Sequence, residues 1–217
     1  MRIEETRDQL ITAALAHVPF DGWTGRALRA GAADLGLDAA RAANAFPGGP
    51  AELLEAFSAD IDRRMLAALE ARDLKAMKHR QRVATAVRAR LELLAPQREA
   101  VRRGLSFLAA PRNAALGAKC LYRSVDAIWH AAGDTSTDYN FYTKRLLLAG
   151  VYSATLLFWL NDESTGFSET WAFLDRRLAE VIRLGGSLGR AVGGLLDLPD
   201  RILRARPSKR MRRERAG

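Results

Sequence analysis

The sequence predicts an all-α protein, and three observations carry that prediction. Apolar residues recur at helical spacing along most of the chain, and no alternating strand pattern is sustained. Proline is sparse within those periodic segments. At 217 residues and 48% hydrophobic content, the chain is long enough to enclose one sizeable core.

The first sixty residues read as short helices over 4–17, 23–35 and 39–46, with Gly36-Leu37-Asp38 as a tight turn between the last two. Two helices joined by a short turn containing glycine form the helix-turn-helix pattern, whose second member enters the DNA major groove in DNA-binding proteins. Charge argues against that use here. Residues 1–60 hold five basic against nine acidic residues and no lysine, whereas duplex binding draws on phosphate neutralisation by Lys and Arg. The helix over 39–46 offers only Arg41 and Asn44 to a groove. Pro47-Gly48-Gly49-Pro50 stands where a phosphate-contacting segment would follow. The expectation is a helix-turn-helix remnant kept for packing, with DNA binding disfavoured.

Residues 60–90 form one long helix or a pair, with Leu66, Leu69, Leu74, Met77, Val83 and Val87 at its apolar positions. The bases Arg72, Lys75, Lys78, Arg80, Arg82, Arg88 and Arg90 read as a solvated face. Residues 61–110 hold twelve basic against five acidic residues, so attraction to an acidic partner or anionic surface is the alternative. Pro96 and Pro111 mark turns, and helices follow over 101–109 and 114–131.

The stretch 133–177 organises the rest. Asp134-Thr135-Ser136-Thr137 supplies capping side chains, and Asp138 places a negative charge at a helix N-terminus. The apolar run 146–160 is 15 residues, short of the ~20 that span a bilayer, so a central buried helix is expected. Its leading turns set Asp138, Phe141, Tyr142 and Arg145 on one face. Two aromatics, an acid and a base have the composition of a protein–protein hot spot; equally, Phe141 and Tyr142 can continue the buried stripe. Asn161 to Gly166 is a cluster of turn formers, and a further helix begins near Ser168.

Ligand sites in bundles lie between helices. Leu121, Val125, Ile128 and Trp129 from one helix and Leu148, Tyr152, Leu156 and Trp159 from the next are the candidate lining, with Gly150, Ser153 and Ala154 small enough to leave space. By residue type all eight large side chains also suit an ordinary core. Beyond the glycines at 185–186, Leu188, Val192, Leu195, Leu196, Ile202 and Leu203 fall near one helical face. Residues 201–217 then hold eight basic residues and one acidic. That is the pattern of a peripheral membrane contact; a helix packed on the core and a disordered basic tail are its rivals. The domain organisation read from these shifts is 1–58, 59–186 and 187–217.

Nothing in the sequence is arranged for chemistry. His17, His79 and His130 follow Ala14, Ala76 and Ala127 by three residues, so no Glu-x-x-His pair of a di-iron bundle exists. The single cysteine, Cys120, excludes a zinc cluster and suits a small buried apolar position. The glycines at 185, 186 and 189 follow a helix rather than a strand and so do not form a dinucleotide loop. No cofactor, metal or catalytic residue is expected. The leading MRIEETRDQL lacks the apolar centre of a signal peptide, which points to the cytoplasm.

The segments GDTSTDYNFYTKR, LNDES and ETWAFLDRRL resemble the signature of the coenzyme Q (ubiquinone) biosynthesis accessory proteins. A weaker resemblance runs from about residue 5 to 205. Members of that family are lipid-binding partners of the demethoxyubiquinone hydroxylase with a tetracycline-repressor-like fold. The resemblance implies such a bundle, without catalysis of its own, binding an isoprenoid quinone or phospholipid. It implies hydroxylase docking at Asp138, Phe141, Tyr142 and Arg145, and membrane contact through the C-terminal helix. Repressors of this fold usually pair through their last two helices, so a homodimer is expected. The family often has Trp-Tyr where this chain has Phe141-Tyr142, which removes an indole N–H donor. With no targeting extension visible, a bacterial protein at the periphery of the inner membrane is expected. A ligand-responsive, tetracycline-repressor-type DNA-binding regulator is the alternative function, and a purely structural dimerisation module the third.

Overall fold

The computed structural model describes residues 3–134 and 139–181. The proposed membrane-contact residues Leu188, Val192, Leu195, Leu196, Ile202 and Leu203 lie outside the described residues, as do Asp138 and the side chain of Phe141. The chain divides into two compact units, 1–176 and 177–217. In the second, residues 177–181 are helical and Arg177 pairs with Glu180 at 2.8 Å. Among the described residues there is no strand.

The first unit begins with α1 (Ile3–Asp21), α2 (Gly25–Asp34) and α3 (Ala39–Ala45). The Thr24 hydroxyl accepts from the Ala27 N–H, and the Asp38 carboxylate accepts from the Arg41 N–H at 2.7 Å. These side chains stop the preceding turns and start α2 and α3. Gly31 lets α2 cross α1 backbone to backbone: a Cβ at that position would lie 2.5 Å from the Ala14 nitrogen. Leu10, Val18, Ala27 and Phe46 fill the space between the three helices. Arg41 and Asn44 are exposed on α3.

Helix α4 runs Gly49–Glu70, with Pro50 in its first turn where a missing N–H costs nothing. The domain boundary expected at residue 58 therefore falls inside one continuous helix. Arg7 fixes α4 to α1 and α3, donating to Glu52 at 2.8 Å and to the Ala45 carbonyl while lying 4.3 Å over the Phe46 ring. Of the two arrangements expected over 60–90, one long helix or a pair, the structure has the pair: α4 ends at Glu70, a 3₁₀ turn spans Leu74–Ala76, and α5 begins at His79 and runs to Leu94. Asp73 caps that turn through the Ala76 N–H. Arg82 holds the connection in place by donating to the carbonyls of Met77 and Lys75, each at 3.0 Å.

Helices α6 (Arg98–Leu108), α7 (Ala114–Ala131) and α8 (Tyr139–Trp159) complete the bundle. The apolar run on α8 is not buried all round. Leu148, Val151, Tyr152, Thr155 and Trp159 face the core, but Leu146 is 76% and Leu157 57% exposed, so the helix has a wet side. Arg98 donates to the carbonyls of Trp159 and Asp162, and Arg102 to that of Leu160, so cations on α6 satisfy the end of α8. The Asp162 carboxylate then accepts from the Ser164 and Thr170 N–H groups and the Thr170 hydroxyl, starting the helix over 168–176, here α9. Burial pushes that carboxyl up, but the hydrogen bonds from Ser164 and Thr170 outweigh it and hold its pKa at about 2.

Candidate functional site

Helices α4 to α8, together with Trp23 at the start of α2, leave an apolar cavity of about 340 Å³. That is at the small end of the range for drug-sized ligands, roughly 300–1,000 Å³. Its inner wall is aromatic and aliphatic: Trp23, Leu54 and Phe57 on one side, Leu94 and Val101 on another. Trp23 and Phe57 are in ring contact at 5.5 Å, and the Trp23 indole N–H donates to the Ala100 carbonyl at 2.9 Å. The indole is thus fixed with its polar atom satisfied. Toward solvent the lining passes through Leu105 and Leu108 of α6, Gly117 and Leu121 of α7, and Ser153 and the half-exposed Leu157 of α8.

One end of this apolar space is polar. Arg90, on α5, is 5% exposed. Its Nε donates to Asp62 at 2.8 Å, Nη2 donates to Ser124 at 2.9 Å and Ser58 at 3.2 Å, and Nη1 donates to the Tyr152 hydroxyl. The second Asp62 oxygen accepts from Ser124 at 3.1 Å and from Arg123 at 3.2 Å. Burial alone would depress the Arg90 guanidinium; the Tyr152 and Asp62 oxygens more than offset that and raise it. Burial also pushes the Tyr152 phenol and the Cys120 thiol up. At neutral pH the cavity end is therefore a charged arginine, a paired carboxylate, a neutral phenol and an un-ionised thiol.

Of the eight lining residues expected from sequence, Leu121, Tyr152 and Leu156 line the cavity. Val125, Ile128, Leu148 and Trp159 are buried in the core away from it. Trp129 is stacked on His79 at 5.3 Å instead, and Trp159 lies beneath Arg98 and beside Phe167. The expectation drew only on α7 and α8, whereas α4, α5 and α6 contribute much of the wall. Arg90, read in the sequence as part of a solvated basic face, is the cavity's buried cation. A signal for it existed: position 90 is seven after Val83 and three after Val87, on the apolar stripe rather than opposite it.

The face expected to receive a partner divides. Tyr142 is 69% exposed, with Leu146 one turn on. Arg145 departs from the exposed position expected of it: it is 7% exposed and its guanidinium pairs with Asp126 at 2.6 Å and Asp134 at 3.5 Å. Lys144 also reaches Asp134, at 2.9 Å. Arg145 therefore ties α8 to α7 and the turn after it. Among the described residues no three His, Cys, Asp or Glu side chains gather as a metal-ligand set, and no helix is long and apolar enough to cross a membrane.

The COQ9 family profile matches residues 114–185, the stretch from α7 onward that carries Gly117, Leu121, Ser153 and Leu157 of the mouth and the Tyr142 face. The ubiquinone biosynthesis protein COQ9 of Rattus norvegicus, a mitochondrial protein, is 38% identical over 189 residues, 84% of this chain and 60% of that one. The Homo sapiens protein of the same description is 37% identical over 189 residues, 84% of this chain and 59% of that one. Over these stretches the chain is similar to the COQ9 family. It spans about three-fifths of the length of these relatives. Among solved structures, a TetR transcriptional regulator from Nitrosomonas europaea superposes with a TM-score of 0.67 at 24% identity, covering 82% of this chain and 98% of the regulator. That likeness establishes a tetracycline-repressor-like fold for this chain.

Proposed function

We propose that this chain is a non-catalytic accessory protein of ubiquinone biosynthesis that binds an isoprenoid quinone intermediate in the α4–α8 cavity and presents it to the demethoxyubiquinone hydroxylase. The carrying observation is the cavity itself: an apolar space with one polar end, opening past Leu108, Leu121 and Leu157. A polyprenyl quinone has the same division, an apolar tail and a polar ring. A space of about 340 Å³ takes the ring and the first part of a tail; the remainder leaves through the apolar mouth. The relatives' description as ubiquinone biosynthesis proteins supplies the pathway. Tyr142 and Leu146 present the exposed apolar surface that a docking partner would cover.

DNA binding is less well supported. Apart from Arg41, α3 offers no cation to a phosphate backbone, and Arg7 of α1 is occupied by Glu52 and the Ala45 carbonyl.

Native mass spectrometry of the freshly purified protein, followed by organic extraction, tests the reading. A co-purifying isoprenoid quinone or phospholipid is expected, and Tyr142→Ala is expected to weaken hydroxylase capture about tenfold or more without releasing the lipid. A lipid-free protein that takes up no added quinone would overturn it.

A further inference from the structure

The polar end of the cavity is specialised in a way that the apolar wall is not. Asp62, its one carboxylate, does not line the cavity, and both its oxygens are occupied, by Arg90 on one side and by Ser124 and Arg123 on the other. What does line the cavity is Arg90, Tyr152, Ser58 and Ser124. A guanidinium has five N–H bonds and accepts nothing. Four of those of Arg90 go to Asp62, Ser124, Ser58 and Tyr152. Because the Tyr152 oxygen accepts from Arg90, its own proton is left to donate elsewhere, and the same holds for Ser58. The cavity end thus offers donors to a guest while its acceptor is spent.

Charge narrows the guest further. Arg90 is balanced by Asp62, and Arg123, which shares Asp62, also lies 3.5 Å from Glu55. Lys119 reaches Glu55 as well, but its side chain is 64% exposed and does not line the cavity. An anion placed among Leu54, Phe57 and Leu156 would lose its hydration without a spare buried cation to neutralise it. A neutral oxygen acceptor meets the same donors at no such cost.

We propose that the Arg90–Tyr152–Ser58 cluster is the head-group site of this cavity and that it selects an uncharged acceptor head, such as a quinone, ketone or ether oxygen, over a phosphate or carboxylate. The proposal rests on the reading of the cavity as a lipid site. It is tested by titrating the full chain in native mass spectrometry with three probes sharing a two-isoprene tail: a benzoquinone, a diphosphate and the plain hydrocarbon. The quinone is expected to bind at least about tenfold more tightly than the other two, the worth of one or two hydrogen bonds to an uncharged group. Tyr152→Phe is expected to remove most of the quinone's advantage over the hydrocarbon while leaving hydrocarbon binding unchanged. Ser58→Ala, at a half-buried position, acts in the same direction and serves where Tyr152→Phe does not fold. A diphosphate that binds as well as the quinone, or a quinone advantage untouched by both substitutions, overturns the head-group assignment and leaves the lipid cavity standing. Failure of all three probes to bind overturns the cavity reading and this proposal with it.

Discussion

The α1–α3 region and the α4–α8 bundle are built from similar helices with opposite results. In α1–α3, Gly31 brings two backbones together, and Ala14, Ala27 and Phe46 fill what space remains. In the bundle, larger side chains hold the helices apart around Gly104, Gly117 and Ser153, and a cavity remains. Polar groups divide the same way. Arg7 and Glu52 pair at the edge of α1–α3 with about 30% of each side chain exposed, whereas Arg90 and Asp62 pair inside the bundle at 6%. The difference teaches that this fold separates a closely packed region from one that keeps an internal space. A void lined by apolar atoms forfeits packing energy, and here it is kept beside an arginine with four of its five N–H bonds donated.

Four substitutions break or sharpen that contrast. The largest effect is expected from Arg90→Met, which removes the closest cation from buried Asp62 and leaves that carboxylate to Arg123 and Ser124 alone. About 3–5 kcal/mol of stability should be lost in chemical denaturation, with most of it recovered in the Asp62→Leu/Arg90→Met double variant. Full stability in the single variant would refute the buried network. Gly31→Ala comes next, at about 2–3 kcal/mol, because the added Cβ meets the α1 backbone rather than a movable side chain. Lipid retention in the surviving folded protein should be unchanged, since Gly31 lies outside the cavity.

A smaller effect is expected at the α8–α9 corner. The Asp162 carboxyl, at about 2, is held below its unfolded value of 3.8, so its contribution is present above pH 4 and lost as pH falls toward 2. Asp162→Asn should cost about 1 kcal/mol at neutral pH, as loss of a helix cap does, and flatten the stability profile between pH 4 and 2. Unaltered acid sensitivity would assign it to other carboxylates. Ser153→Leu should move stability least, within about 1 kcal/mol, because it projects into existing space. It should nevertheless abolish lipid retention in native mass spectrometry, which would separate occupancy from folding most cleanly.

Much of the architecture was legible because local chemistry announces it. Thr24 and Asp38 stand where helices begin, and 114–131 matches α7 residue for residue. Pro50, noted in the sequence only as part of the segment after the third helix, sits in the first turn of α4, the place in a helix that tolerates it. Whether 60–90 forms one helix or the pair α4 and α5 was left open by the sequence. It depends on Arg82 reaching the carbonyls of Lys75 and Met77, a side-chain geometry that composition does not express. The cavity was half legible, since Leu121, Tyr152 and Leu156 follow from helical spacing on two neighbouring helices. Trp23 and Phe57 come from elements distant in sequence, and which apolar side chains face a void rather than one another is decided by three-dimensional packing. Arg145 was misplaced because a cation beside aromatics reads as surface until Asp126 and Asp134 are seen around it.

The arginine clasp between α6 and α8 joins two helices of the cavity wall. Arg98 and Arg102 fasten the end of α8 to α6, so the two helices that flank the mouth share one fixed edge. At the other end of α6, the short corner of residues 109–113 is held by the Asn113 side chain on the Phe107 carbonyl and by the Asn113 N–H on the Ala110 carbonyl. Amide exchange should accordingly be slow in the last turn of α8 and faster at 109–113.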